Sequence, residues 1–107
     1  MKFNRALLLY NRNAGQQEIV QQLAAIIPIL AGEIKELVLY QTTEPGEGEQ
    51  VCRDRGERFE LILIMGGDGS VHECVNGIVM LELRRLSVFC LPAPVTILRV
   101  RLSYRSI

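Results

Sequence analysis

The chain has 107 residues, enough for one modest domain, and its 49% hydrophobic and 22% charged residues are typical of a globular protein rather than a disordered one. Twelve basic and twelve acidic residues cancel to no net charge, which argues against a nucleic-acid-binding protein. The charges are unevenly placed, because residues 84–107 contain five arginines and no acidic residue.

The first predicted unit is a buried strand followed by a helix. Ala6–Tyr10 is an apolar run, and the polar segment Asn11–Gly15 that follows it predicts a tight turn. From Gln16 onward the apolar period becomes helical, so that one face carries Ile19, Val20, Leu23, Ile27 and Leu30. Pro28 predicts a kink or an end near Ile27, and Gly32 suits a helix C-terminus.

The second unit repeats this order with a more polar helix. Ile34–Tyr40 is strand-like, Thr42–Gly48 is a polar loop, and the charged segment Glu49–Arg58 predicts an exposed helix.

The third unit carries the strongest strand signal. Leu61–Met65 is apolar on both faces, as in a covered parallel sheet, and leads into Gly66–Ser70. A second helical stripe follows, made of Val71, Cys74, Val75, Ile78 and Val79. The alternation of strands and helices predicts an α/β fold, a doubly wound, Rossmann-like three-layer sandwich.

The cysteines indicate a reducing compartment, and the lack of long apolar runs argues against a membrane span. Cys52, Cys74 and Cys90 are odd in number and have no C-x-x-C spacing, so we expect reduced thiols rather than disulfides or a zinc site, with Cys74 in the core. The sequence shows no signal peptide and no membrane span. We therefore expect a cytoplasmic protein, with peripheral membrane contact as a further expectation.

The glycine-rich turn Gly66–Ser70 is the segment best suited to chemistry. Glycines let the backbone approach a ligand closely, and the amides at the start of a helix attract anions such as phosphate. Asp68 beside a phosphate requires a metal, a water or a ligand hydroxyl. The alternative is an ordinary turn in which Asp68 and Ser70 cap the helix.

The residues around this turn resemble a known family. The run from Ile64 to Ile78, I-M-G-G-D-G-S-V-H-E-C-V-N-G-I, closely resembles the signature of the diacylglycerol kinase catalytic-domain family. That signature is a strand, then G-G-D-G-T, two residues, E, two residues and N-G. Ser70 stands where threonine is usual and keeps the hydroxyl.

Two earlier segments resemble the same family more weakly. The family commonly has N-P-x-x-G after its first strand, and here Asn11 and Gly15 match while Arg12 replaces the proline. The family's second loop has a threonine followed by a G-D pair, and Gly46-Glu47 keeps the glycine and the carboxylate.

The resemblance implies an ATP site used with Mg²⁺, in a fold shared with NAD kinases and phosphofructokinases. Asp68 would be catalytic through a metal or water, Glu73 and Asn76 would brace the loop from the helix, and no protein metal ligand is assigned. Carried over by position, the nucleotide-binding residues are Asn11, Asn13, Gly15, Thr42, Gly66, Gly67, Asp68, Gly69, Ser70, Glu73 and Asn76. For Glu73 and Asn76 the alternative is a solvated helix face, and exposed His72 is given no role.

The last part of the chain departs from the family. We expect residues 1–83 to be the nucleotide-binding part and residues 84–107 a divergent tail, because the family's next signature, P-L-G-I-(L/I)-P-x-G-T-x-N-D-F-A-R, is missing. The codons that the genetic code allows for residues 89–100, read with a shift of one base, are compatible with L-P-A-G-T-C-N-D-F-A-R. We interpret the tail as translation in a shifted frame that begins between about Val79 and Arg84.

The resemblance implies a lipid kinase that transfers the γ-phosphate of ATP to the hydroxyl of a diacylglycerol-type lipid. The family's β-rich second domain, which holds the lipid site and general base, is missing here, so we expect this chain to be inactive and a lipid acceptor to bind only the full-length protein. The alternatives are an NAD kinase-like fragment, and a non-catalytic fold that forms homo-oligomers through exposed surfaces. A role for the basic tail on anionic lipid or nucleic acid is the least favoured interpretation.

Overall fold

The computed structural model describes residues 3–11, 16–66, 68–78, 81–88 and 95–102. In chain order these residues form β1 (Phe3–Asn11), α1 (Gln16–Ala31), β2 (Ile34–Thr42), α2 (Glu47–Arg55), β3 (Leu61–Met65), α3 (Asp68–Gly77), β4 (Leu81–Val88) and β5 (Val95–Leu102), with a short 3-10 helix at Gly56–Arg58.

One sheet with strand order β2-β1-β3-β5-β4 organises the described residues. The strands β1, β2 and β3 are mutually parallel, whereas β5 runs antiparallel to both β3 and β4. The predicted alternation of three strands and three helices is confirmed and β3 has the predicted bounds, whereas β4 and β5 were not predicted.

The two faces of the sheet bury separate apolar clusters, as the alternation along β1 requires. Ala6 and Leu8 pack with α1, whereas Leu7 and Leu9 pack with α2 and α3. All five residues of β3 are buried because helices cover both of its faces. This is the predicted three-layer α/β arrangement.

Helix α1 corrects the predicted end near Ile27 and the predicted burial of Val20, while the predicted kink at Pro28 stays a prediction. It continues past Ile27 to Ala31 with Pro28 inside its last turns, because Ile26 and Leu30 still pack against the sheet. Val20 is 64% exposed, so it does not belong to the buried face. The predicted end at Gly32 is confirmed.

The tail residues that the structure describes join the sheet. Val95, Leu98 and Val100 of β5 are buried, and Leu98 packs in the cluster beneath α2 and α3. The expected boundary between residues 83 and 84 falls inside β4. Whether these residues arise from a shifted reading frame stays a prediction.

Candidate functional site

Three parallel strands end together at one edge of the sheet. The chain passes from β1 to β2 on one side and returns to β3 on the other, and such a switch point is where open α/β sheets bind ligands. Asn11 and Thr42, both predicted site residues, are register partners at the ends of β1 and β2. The Thr42 hydroxyl donates to the Tyr10 carbonyl at 3.3 Å. The sheet therefore brings the first two predicted segments side by side.

A small recess lies at this edge, between the strands and the two helices on one face. Its lining combines strand residues with residues from α2 and α3: Leu9, Tyr10, Thr42, Gly48, Ser70 and Glu73. Three predicted site residues, Thr42, Ser70 and Glu73, thus meet around one recess, and Gly48 is an addition that the sequence analysis did not name.

The start of α2 forms one wall of the recess through Gly48, and Glu73 holds the loop that precedes this helix. Gly46 is the N-cap of α2 with φ 85°, a left-handed conformation that favours glycine. Its amide donates to Glu73 Oε2 at 3.0 Å. A Cβ added at Gly48 would lie 2.9 Å from Glu73 Oε1, so the Glu73 carboxylate would have to move to admit a side chain there. The contact is with the loop before α2, so the predicted bracing of the glycine-rich turn by Glu73 stays a prediction.

Glu47 organises the same loop from within. Its Oε1 accepts from the Thr43 amide at 2.7 Å and the Glu44 amide at 3.3 Å, and its Oε2 accepts from the Tyr40 hydroxyl at 3.3 Å. Hydrogen bonds lower the pKa of Glu47 below its ordinary value of 4.5. The bond from the Thr43 amide has the largest effect, followed by those from the Glu44 amide and the Tyr40 hydroxyl. The ionised carboxylate therefore suits this loop best.

The first turn of α3 forms the opposite wall. Helix α3 begins at Asp68, so Asp68 and Ser70 lie inside the helix rather than at its cap. A Cβ added at Gly66 would lie 3.3 Å from Ser70 Oγ, whereas one at Gly69 would meet open space. The exposed amides of a first helical turn, with the positive end of the helix dipole, favour an anion such as phosphate.

The interface between α2 and α3 sets the distance between the two walls. A Cβ added at Gly77 would lie in overlap with the Glu49 carbonyl and 2.9 Å from Cys52 Cβ. Cys74 is buried as predicted, but it forms a disulfide with Cys52, across a Cα separation of 5.4 Å. The expectation of reduced thiols is wrong for this pair, because spacing along the sequence does not reveal which helices pack together.

Other predicted residues are placed less centrally. Asn76 is exposed on α3, while Glu73 of the same helix contacts the loop. Asn13, Gly15 and Gly67 lie outside the described residues. The sequence analysis gave no role to Gly48 or Gly77. Only the N-G pair of the signature hinted that a glycine was needed at position 77.

The described residues contain no cluster of three or more His, Cys, Asp or Glu side chains that could bind a metal ion. Among the same residues, no helix has both the length and the apolar character that crossing a membrane requires.

Comparison with known proteins assigns the chain to a family. The model of the family described as "Diacylglycerol kinase catalytic domain" matches residues 5–98. The chain belongs to this family. The match extends beyond residue 83 into the tail that we separated from the nucleotide-binding part.

The similar proteins include diacylglycerol kinases. The chain is 31% identical to a diacylglycerol kinase of Bacillus subtilis (strain 168) over 81 residues, covering 75% of this chain and 27% of that protein. It superposes on a crystal structure of a diacylglycerol kinase from Bacillus anthracis str. Sterne with a TM-score of 0.68 and 38% identity. That match covers 78% of this chain and 31% of the crystallised one. The chain thus spans less than a third of the length of these diacylglycerol kinases.

Proposed function

We propose that this chain is the ATP-binding part of a lipid kinase, which in full-length form transfers the γ-phosphate of ATP to a diacylglycerol-type lipid hydroxyl. The observation that carries the proposal is the hydrogen bond from the Gly46 amide to Glu73. It joins the loop before α2 to the helix after the glycine-rich turn, beside a recess that Gly48 of α2 and Glu73 of α3 line at the switch point of the sheet. Membership of the diacylglycerol kinase family supports the choice of a lipid kinase over an NAD kinase.

The phosphates of ATP fit the first turn of α3, where Gly69 and Ser70 offer amides and Ser70 adds a hydroxyl close to the recess. Thr42 and Asn11 would contact the nucleotide from the strand ends. Mg²⁺ is usually held by substrate phosphates, water and one or two carboxylates. Mg²⁺ would accordingly enter together with ATP.

The isolated 107-residue chain should bind MgATP weakly and transfer no phosphate. Phosphoryl transfer depends on positioning the acceptor and stabilising charge on the transferred group. The chain covers 27% and 31% of the two relatives, and the lipid site is expected in the part that it does not cover. Peripheral contact with a membrane belongs to the same proposal, since the lipid acceptor resides there.

The test is an NMR titration of the ¹⁵N-labelled chain with MgATP. We expect shift changes concentrated at Gly46, Gly69 and Ser70. Glu73→Ala removes the acceptor of the Gly46 amide and should weaken binding at least tenfold. His72→Ala, an exposed change on the same helix, should leave binding intact.

Two results would contradict the proposal. The absence of shift changes at millimolar MgATP would refute nucleotide binding by this chain. Radiolabel transferred from [γ-³²P]ATP to diacylglycerol vesicles by the purified chain would refute its inactivity.

A further inference from the structure

The disulfide between Cys52 and Cys74 has no part in the proposed kinase reaction. The two residues are 22 positions apart, one on α2 and one on α3, and are 1% and 0% exposed. Their Cα separation of 5.4 Å lies within the range that disulfides require. The same two helices supply both walls of the candidate nucleotide recess.

We propose that Cys52 and Cys74 are a reversible thiol–disulfide modification site that sets the position of the Gly46 loop against α3. The disulfide form binds MgATP with the higher affinity, an inference that rests on the proposed function. The site acts through the two helices, without contact between sulfur and nucleotide.

Contacts along the α2–α3 interface connect the sulfurs to the recess. Gly48 lies four residues before Cys52 on α2, and Glu73 directly precedes Cys74 on α3. Residues four apart share a helix face, so Gly48 and Cys52 lie on the same face of α2. The close approach of Gly48 to Glu73 and the disulfide are therefore neighbours along the α2–α3 interface, here called the seam. A shift at the sulfurs therefore reaches the carboxylate that holds Gly46.

The exchange chemistry is balanced with a dithiol reductant. One reductant thiolate attacks a sulfur of the pair, the S–S bond breaks, and the other cysteine leaves as a thiolate that takes a proton. The second reductant thiol then displaces the mixed disulfide. Two electrons and two protons have passed to Cys52 and Cys74, and the reductant has become a disulfide. Oxidised glutathione drives the reverse reaction.

Reduction separates the two sulfurs, because a disulfide bond is about 2 Å long and non-bonded heavy atoms settle about 3.5–4 Å apart. The seam has little free space. Both cysteines belong to the buried cluster, and a Cβ at Gly77 would already lie 2.9 Å from Cys52 Cβ. The separation is therefore transmitted to α2, which carries Gly46 at its N-cap.

A reductant reaches the buried sulfurs when α2 opens locally. Helix α2 has nine residues, of which only Gly48, Val51 and Cys52 are buried. Its opening exposes far less apolar surface than opening β3, so it is available without global unfolding. A disulfide of this kind does not persist in a reducing compartment, which makes its state dependent on the surroundings.

The experiment compares the two redox forms of the unaltered chain, so it needs no variant to fold. The chain is treated with oxidised glutathione or with dithiothreitol, and its thiols are counted after denaturation. We expect one free thiol in the oxidised form and three in the reduced form, since the chain has three cysteines. Hydrogen exchange in the peptide 43–50 should be at least threefold faster after reduction, and MgATP affinity at least threefold weaker.

Two variants assign the effect. The double variant Cys52→Ala, Cys74→Ala should show the same exchange and affinity with and without dithiothreitol. The matched control Cys90→Ala should respond to the reductant as the unaltered chain does.

Three free thiols after oxidant treatment, or equal exchange of peptide 43–50 in both forms, would overturn the inference. MgATP binding that is equal in both forms would also overturn it while leaving the proposed function standing. If neither form binds MgATP but exchange responds to the reductant, the proposed function fails and control of the loop by the thiols stands.

Discussion

Replacing Gly77 by alanine should force α2 away from α3. The added Cβ would overlap the Glu49 carbonyl, and it would lie 2.9 Å from Cys52 Cβ and 3.0 Å from the Arg53 amide nitrogen. Two of these three atoms belong to the backbone, which cannot rotate away as the end of a flexible side chain can. The clash can therefore be relieved only by moving a helix.

The expected loss of stability follows from two opposing terms. Overpacking a closely packed site costs about 1–3 kcal/mol, and the backbone contacts at Gly77 place it near the upper limit. Alanine regains up to about 1 kcal/mol of helix propensity, less here because Gly77 ends α3. The net destabilisation is about 2 kcal/mol, or a decrease of about 10 °C in the melting temperature for a chain of this size.

Urea unfolding followed by circular dichroism, under fixed oxidising conditions, measures this loss. Gly69→Ala is the matched control: it makes the same change on the same helix, but its Cβ meets nothing within 4 Å. We expect Gly69→Ala to be neutral or slightly stabilising. If the two variants unfold at the same urea concentration, the close approach of α2 and α3 at Gly77 is wrong.

Three further predictions concern the loop, the tail and the surface. Because hydrogen bonds lower the pKa of Glu47, the stability that its carboxylate contributes is present above pH about 4.5 and is lost as the pH falls through the lowered pKa. Glu47→Gln should therefore flatten the acid side of a plot of urea-unfolding stability against pH. Parallel plots for the variant and the unaltered chain would contradict this. Leu98→Ala should lower the free energy of unfolding by about 2–5 kcal/mol, because Leu98 is fully buried. Arg99→Ala, at an exposed neighbouring position, should lower it by about 1 kcal/mol or less. Equal small losses in the two variants would show that the tail does not pack on the sheet. Large apolar side chains exposed on α1 and β2 should promote self-association, so light scattering should give a mass above 12.1 kDa, and a constant monomer mass at all concentrations would contradict it.

The sequence predicted the strands and helices well because their apolar periods are strong. Leu61–Met65 is apolar throughout and is buried on both faces, so period, length and flanking residues all agreed. Val20 misled because the apolar stripe of α1 is wider than the face that the sheet covers. The predicted helix end near Ile27 was wrong because the burial of Leu30 outweighs the hydrogen bond that Pro28 removes.

The candidate site was only partly predictable. Asn11 was predicted from a strand end and the resemblance, and Thr42 from the resemblance alone; the parallel register places the two residues together. The disulfide and the close approach at Gly77 depend on how α2 packs against α3, and contacts between elements distant in sequence leave no local pattern. The hydrogen bonds of Glu47 are local, but a carboxylate in a polar loop does not by itself show which amides it will accept.

The position of the loop therefore depends on packing as well as on the residues that touch it. Glu73 supplies the direct hydrogen bond to Gly46, while Gly77 and the cysteine pair fix the spacing of the helices that carry both groups. A change at Gly77 should accordingly lower stability and nucleotide affinity together. Loss of the half-buried Glu73 carboxylate should lower affinity far more than stability, because alanine is the better helix former and the interface keeps its shape. Measuring stability and nucleotide affinity for the variants at Gly77 and Glu73 therefore distinguishes two effects on the site. One is the spacing of the two helices, and the other is the hydrogen bond that positions the loop.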